Sequence, residues 1–434
     1  MKRELLGSAI DAVDQPVRIE GSATRGLIDH RGLAEPPGKI AELIQSGMET
    51  VEQQRAVLAV ERDDCFAVER GECFGGFGLN HDEWLTGTGK VIAGHGPLTI
   101  AQSSPPGYAR NMTQSLQDLL ATPDACLHSL EADDAILVPM DGDAYRRSIF
   151  LDHRISPAGE GGWRVPAASL AAAVPAARPL GWIFHVAHCG STLLARALDE
   201  LGGGLVLREP LALRQLALQE NRVLLPAVLA LLSRRYPGSG MTVVKANVPV
   251  NFMLDAIADH DPQAPVVLLW SRLPDYLGAV LRSANHRGWV RNITALLAGQ
   301  LGVADGMSDA RRAAALWAGQ HRRFAKLLDR MPHARALEAE RFYRDPAAAL
   351  GQAARLFGIE VKPADIAAVA GGPLFATYSK NPALVFDNAA RESMKKQQAQ
   401  ALSAEIAEAR GWLAGNAPDA EALVRRLDSA SLVS

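Results

Sequence analysis

The sequence predicts an α/β fold: three layers with a central parallel sheet, preceded by a small Gly-rich N-terminal region. Two observations carry this. After Pro179, short and near-continuous apolar runs alternate with helical segments, the pattern of strands buried on both faces and joined by helical crossovers. Within that region, Trp182-Ile-Phe-His-Val-Ala-His188-Cys189-Gly190-Ser191-Thr192-Leu193-Leu194 reads as a buried strand, a sharp glycine turn and the first turn of a helix. Such a turn aims backbone N–H groups outward at the positive end of a helix, where an anion can sit.

Taken in order, the elements begin weakly. Residues 1–110 are glycine-rich and weakly periodic, with turns predicted at Cys73-Phe-Gly-Gly and Thr86-Gly-Thr-Gly and a linker over 103–107. They are assigned as an accessory region of unknown function, and 111–434 as the P-loop-type domain, with its core over 180–380 and C-terminal helices over 388–430. Thr113-Gln-Ser-Leu-Gln-Asp-Leu-Leu reads as a short capped helix. Ala135-Ile-Leu-Val-Pro and Ser148-Ile-Phe-Leu-Asp have the length of strands. Further strands are expected at 182–187, 204–207, 241–245, 266–271 and 335–337. Helices are expected at 191–201, 211–219, 223–234, 250–259, 274–284, 308–331 and 347–357.

Composition bounds the function. A chain of 434 residues, 48% hydrophobic and 21% charged, can bury a substantial core. A net charge of −3 argues against a general nucleic-acid binder. Four cysteines without a C-x-x-C pair fit a reduced compartment. With no secretory h-region at the start and no apolar stretch long enough to span a bilayer, a cytoplasmic protein is expected. Cys65, Cys73, His81 and His95 match no standard zinc spacing, and no metal is expected.

Polar residues follow the predicted strands directly. The first ends at His188–Thr192, the second at Arg208-Glu209-Pro210, the third at Lys245-Ala246-Asn247, the fourth at Ser271-Arg272. In a parallel sheet all four sets face one crevice, at the carboxyl ends where ligands bind. The glycine turn lacks the lysine of a G-x-x-x-x-G-K-[ST] loop, and no acidic residue ends the fourth strand to hold Mg²⁺, which disfavours an ATPase. His185, inside the first strand, reads as a core or sheet-face histidine. The His321-Arg-Arg cluster reads as a solvated helix face.

These residues resemble the sulfotransferases that use 3′-phosphoadenosine 5′-phosphosulfate (PAPS). The family's [K/R]-S-G-[S/T]-T turn stands here as His188-Cys189-Gly190-Ser191-Thr192, and its R-[D/N]-P as Arg272-Leu273-Pro274. Its K-T-H-L-P stands as Lys245-Ala-Asn247-Val-Pro249, and its E-P segment as Glu209-Pro210. Glu338-Ala-Glu340-Arg-Phe-Tyr-Arg-Asp345-Pro346 with Leu356-Phe-Gly358 parallels a later family stretch. The chain departs from the pattern at Cys189, at Asn247 (a histidine in the family) and at Val280, where the family has a serine and Ser283 lies nearby.

The resemblance implies sulfuryl transfer from PAPS, leaving PAP, to a hydroxyl or amine on a small molecule, glycan or peptide. The amides of Gly190, Ser191, Thr192 and Leu193 would hold the 5′-phosphate, with Cys189 in the same loop. His188 and Lys245 would stabilise the leaving oxygen. Arg272 and Ser283 would hold the 3′-phosphate, and Lys380 would belong to a late cofactor loop. Glu209 would accept the acceptor's proton. Contact with the anion would raise the His188 pKa above its usual value of about 6.5, so turnover would fall as pH rises through it. The alternatives are a P-loop kinase of small molecules and an inactive nucleotide-binding or scaffolding protein on the same fold.

Overall fold

The computed structural model describes residues 88–90 and 115–433, apart from 220–221, 379–380 and 386–387. Apart from 88–90, the region 1–110, its boundary with the following domain, the four-residue zinc set and Lys380 therefore lie outside the described residues; at 88–90, where the sequence predicts part of a turn, the chain is a strand.

The chain first builds a small mixed sheet. Helix α1 (Leu116–Leu120) starts at a capping box: Ser115 Oγ accepts the Asp118 N–H while the Asp118 carboxylate reaches back. Strands β2 (Ala125–Glu131), β3 (Asp134–Pro139) and β4 (Gly162–Pro166) pair antiparallel, and β1 (Thr88–Lys90) lies parallel to β4. Helix α2 (Gly142–Arg147) leads into residues 148–152, which the sequence predicts as a strand and which are irregular. Their polar groups go elsewhere: the Arg208 guanidinium takes the Ser148 and Ile149 carbonyls, and Leu151 exchanges backbone bonds with Arg208 and Leu211.

The main sheet has five parallel strands: β5 (Leu180–His185), β6 (Val206–Arg208), β7 (Thr242–Lys245), β8 (Val266–Trp270) and β9 (Ala334–Glu338), in the order β6-β7-β5-β8-β9. Every residue of β5, β7 and β8 is buried. Side chains alternate along a strand, so both faces of the sheet are covered by helices. These are α3 (Leu211–Ala217) after β6, with α4 (Leu225–Leu232), α5 (Leu254–His260), α6 (Leu273–Val280), α7 (Ala284–Leu296) and α8 (Asp309–Arg330) following. The helix after β5, Ser191–Leu201, packs seven of its residues into the core. The helix expected over 308–331 is found as α8, and its middle, from Ala313 to His321, is buried on all sides.

The predicted helix 250–259 is split. Its first turn is a 3₁₀ segment, Val248–Met253, and only Leu254–His260 is α-helical. After β9 come α9 (Ala339–Arg344), α10 (Pro346–Leu356) and α11 (Pro363–Ala370), then the C-terminal helices α12 (Asn388–Ala401), α13 (Ser403–Asn416) and α14 (Ala420–Ser429). Past α14 the chain lies against the outer side of β9: the Ala336 N–H donates to the Ala430 carbonyl at 2.8 Å, and the Leu432 N–H to the Ala336 carbonyl at 2.7 Å. No described helix is long and apolar enough to cross a membrane.

Candidate active site

Strand order decides where a ligand goes. From β5 the chain moves to β6 and β7 on one side, then to β8 on the other. The turn after β5 is therefore the topological switch point, the usual binding crevice of an open α/β sheet. That turn is bent hard. Ala187 (φ 73°), His188 (φ 47°) and Gly190 (φ 88°) all take the left-handed region, as does Glu209 (φ 55°) at the end of β6. Non-glycine residues held there cost on the order of 1 kcal/mol each and gather where a backbone must serve a site.

Gly190 is the N-cap of helix Ser191–Leu201. The helix's first intrahelical bond is Leu194 N–H to Gly190 C=O at 3.0 Å, so the N–H groups of Gly190, Ser191, Thr192 and Leu193 have no acceptor within the helix. A Cβ at Gly190 would stand 2.8 Å from the Tyr343 hydroxyl. The Arg391 guanidinium lies over the Tyr343 ring, 4.2 Å from its centroid, and bonds Glu340 at 2.8 and 3.1 Å. Ser191 and Thr192 are themselves buried.

Cys189 reaches this loop only through its backbone. Its side chain is buried, with Sγ 3.7 Å from the Leu269 carbonyl. Burial pushes the thiol up to about 12. Against this, the N–H groups of Val186, Ser191 and Cys189 and the Lys245 charge pull it down. The His188 ring lies 4.7 Å from that of His286 and edge-on to Trp289 at 5.6 Å.

Beside the loop, Lys245 and Glu209 meet. Lys245 is 1% exposed and donates to Glu209 Oε1, an ion pair between the ends of β7 and β6. The register Arg208↔Lys245 sets this pair side by side, and the Glu209 N–H donates to the Lys245 carbonyl at 2.7 Å. His185 joins from β5. Its Nδ1 accepts the Ala187 N–H at 3.1 Å, so in the neutral ring the proton sits on Nε2, 3.7 Å from Glu209 Oε1. The His185 carbonyl is held by Asn251, which also bonds Gln320. Phe150 lies under the pair, its centroid 5.1 Å from Lys245 Nζ. Two residues past Lys245, the buried Asn247 Oδ1 has no hydrogen-bond partner among the described residues.

The structure thus brings His188, Gly190, Ser191 and Thr192 together in the switch-point turn, with Lys245 and Glu209 paired at the neighbouring strand ends. Arg272 stands at the end of β8 with its guanidinium already engaged: Nε donates to Glu338 at 2.7 Å, and the Asp428 carboxylate lies at 3.0 Å. Ser283 is the N-cap of α7, and its Oγ lies 2.7 Å from His286 Nδ1. Arg208, beside Glu209 in sequence, is structural: it is 1% exposed, pairs with Asp199 at 2.7 Å and donates to carbonyls of residues 145–149. His321 is no surface residue; it is fully buried on α8.

His185 is a buried strand residue, as the sequence predicts, but its place beside Glu209 was not foreseen, and neither Phe150 nor Asn251 was singled out. The only available signal was position: His185 is the last residue of a strand whose turn was already singled out, so its place beside the next strand's end follows once strand order is known.

No family model matches this chain, and no curated protein matches it. Solved structures similar to it include the sulfotransferase domain of the curacin biosynthetic pathway, at 10% identity and a TM-score of 0.33, covering 55% of this chain and 98% of that one. A sulfotransferase from Alicyclobacillus acidocaldarius is similar at 14% identity and a TM-score of 0.29, covering 54% of this chain and 99% of that one.

Proposed function

We propose that this protein moves a sulfuryl group from PAPS to a hydroxyl or amine acceptor. The observation that carries the reading is the buried Lys245–Glu209 pair beside a lysine-free glycine turn at the sheet's switch point. A cation and a base fixed next to an anion cradle are what group transfer between oxygens needs, because positioning and charge stabilisation supply most of the rate.

The residues fit the donor at its 5′ end. The first-turn amides of residues 190–193 offer donors to a phosphate. Lys245 offers charge at the oxygen that departs, and His188 borders the same turn. At the 3′ end Arg272 is the residue to hold a phosphate, by exchanging Asp428 for it. PAPS supplies the sulfuryl group; the chain's own work is to orient the acceptor and take its proton at Glu209. His185 and Lys245 both bear on Glu209 Oε1 and fix its position.

The test is calorimetric titration of the chain with PAP, without Mg²⁺, followed by transfer from labelled PAPS to a panel of alcohols and amines. PAP is expected to bind, and Arg272→Ala to weaken it. Glu209→Gln is expected to keep PAP binding and to lose transfer by about 10²–10⁴-fold, the usual worth of a positioned base. Mg²⁺-dependent ATP turnover would move the assignment to a kinase. PAP binding with no transfer to any acceptor would move it to a nucleotide-binding scaffold.

A further inference from the structure

We propose that His286 is a positioning residue of the donor site: it turns the Ser283 hydroxyl outward, to donate to a phosphate of the nucleotide. The inference rests on the sulfuryl-transfer reading above and adds a residue to that same site.

Two partly exposed residues flank a buried one. His188 lies in the switch-point turn, and Ser283 is the N-cap of α7. His286, in the first turn of α7, is 0% exposed and touches both. Its ring centroid stands 4.7 Å from that of His188, and its Nδ1 lies 2.7 Å from Ser283 Oγ. Trp289, three residues further along α7, meets the His188 ring edge-on at 5.6 Å. The start of α7 is therefore packed against the turn that forms the anion cradle, which brings Ser283 beside it.

Hydrogen-bond polarity fixes where the Ser283 proton points. The Arg282 Nε–H donates to His286 Nε2 at 3.0 Å, so that nitrogen carries a lone pair. The neutral imidazole then holds its proton on Nδ1 and donates it to Ser283 Oγ. The Ser283 oxygen also accepts the His286 backbone N–H, at 3.4 Å. A serine oxygen has two lone pairs and one O–H. Both lone pairs are taken from the His286 side, and the O–H is left to donate away from it. A nucleotide phosphate is the acceptor that suits a fixed O–H, because a hydrogen bond to a charged oxygen is among the strong ones. An unrestrained hydroxyl would rotate between water and the imidazole. The Arg282–His286–Ser283 chain removes that freedom before the nucleotide arrives, and preorganisation of this kind favours binding.

The experiment measures PAP, adenosine 5′-phosphate, adenosine 3′-phosphate and adenosine by calorimetry. Ser283→Ala and His286→Leu are each expected to weaken PAP by about tenfold, the usual worth of one hydrogen bond to a charged group. The mononucleotide that shares the loss carries the phosphate that Ser283 meets, and adenosine is expected to bind all the variants alike. His286→Asn, whose amide N–H stands where Nδ1–H stood, is expected to restore most of the loss. Arg282→Met lets the imidazole accept from Ser283 and turn the O–H inward. It should therefore weaken PAP, but not in a Ser283→Ala background. Arg282 is partly exposed, so this variant carries the test if His286→Leu does not fold. In transfer assays KM for PAPS should rise while kcat changes less. Equal losses in His286→Asn and His286→Leu, a loss in adenosine binding that matches that of PAP, or an Arg282→Met loss that persists without Ser283 overturns the positioning role and leaves sulfuryl transfer standing. So does Ser283→Ala binding PAP like wild type. Failure of wild type to bind PAP overturns both.

Discussion

A lysine that is 1% exposed is tolerable at the end of β7 only because Glu209 meets it. Removing one partner of a buried ion pair leaves a desolvated charge and costs about 3–5 kcal/mol. The pair is thus a structural commitment as well as a chemical one. His321 shows the converse, a buried imidazole kept neutral. Its Nδ1 donates to the Trp317 carbonyl at 2.8 Å, and burial pushes its pKa down to about 3. An unfolded histidine titrates near 6.5. Between those values the unfolded chain binds a proton that the folded chain refuses, so stability falls as pH drops from about 6.5 toward 3, by up to ~1.4 kcal/mol per pH unit. Urea unfolding at pH 7, 6, 5 and 4 should show His321→Gln less stable than wild type at pH 7, with the gap closing as pH falls. A gap that stays constant would show that His321 does not titrate differently on folding. Glu209 and Lys245 were legible in the sequence because each stands at a strand's end in a polar cluster. Phe150 was not, because its place beside Lys245 depends on an irregular segment.

The β5-to-helix turn is the element on which the site is hung. Its apolar strand, glycine and helix start were legible directly, and the helix falls at Ser191–Leu201 as expected. The left-handed backbone at Ala187 and His188 was not, since neither residue type announces it. Residues 148–152 misled for a related reason: a strand-like apolar run gave up its carbonyls to the Arg208 side chain, 60 residues away. Gly190→Ala tests the turn. Alanine at φ 88° carries a conformational cost, and its Cβ would also meet Tyr343 Oη at 2.8 Å and Cζ at 3.0 Å, on a ring already held by Arg391. Gly302 is the control, left-handed at φ 63° with nothing within 4 Å of its Cβ position. Chemical denaturation should show Gly302→Ala costing about 1 kcal/mol and Gly190→Ala about 2–3 kcal/mol. Equal costs would mean that Tyr343 yields freely.

Across the whole molecule, strand order and the C-terminal segment decide what the β8 end can do. Individual strands were legible as apolar runs, but the order β6-β7-β5-β8-β9 depends on crossovers that sequence spacing does not specify. Nor could sequence reveal that Asp428, 156 residues from Arg272, would reach it. Residues 430–432 hydrogen-bond along β9 and close an edge that would otherwise expose unpaired backbone. In doing so they deliver Asp428 to both Arg272 and Arg341, while Ser431 accepts from Arg341 at 2.7 Å. Under the proposed function, Asp428 then competes with the nucleotide's 3′-phosphate for Arg272. The Arg272–Asp428 pair is partly exposed, so its loss should cost no more than about 1 kcal/mol. Glu338, buried beneath, continues to hold the guanidinium through Nε. Asp428→Asn should therefore fold like wild type and bind PAP several-fold more tightly. The gain should vanish in the Arg272→Ala background and for adenosine 5′-phosphate, which has no 3′-phosphate. If Asp428→Asn tightens both nucleotides alike, the carboxylate acts through the general field of the site. If it tightens neither, Arg272 is a structural arginine, and the 3′-phosphate must be sought at another residue.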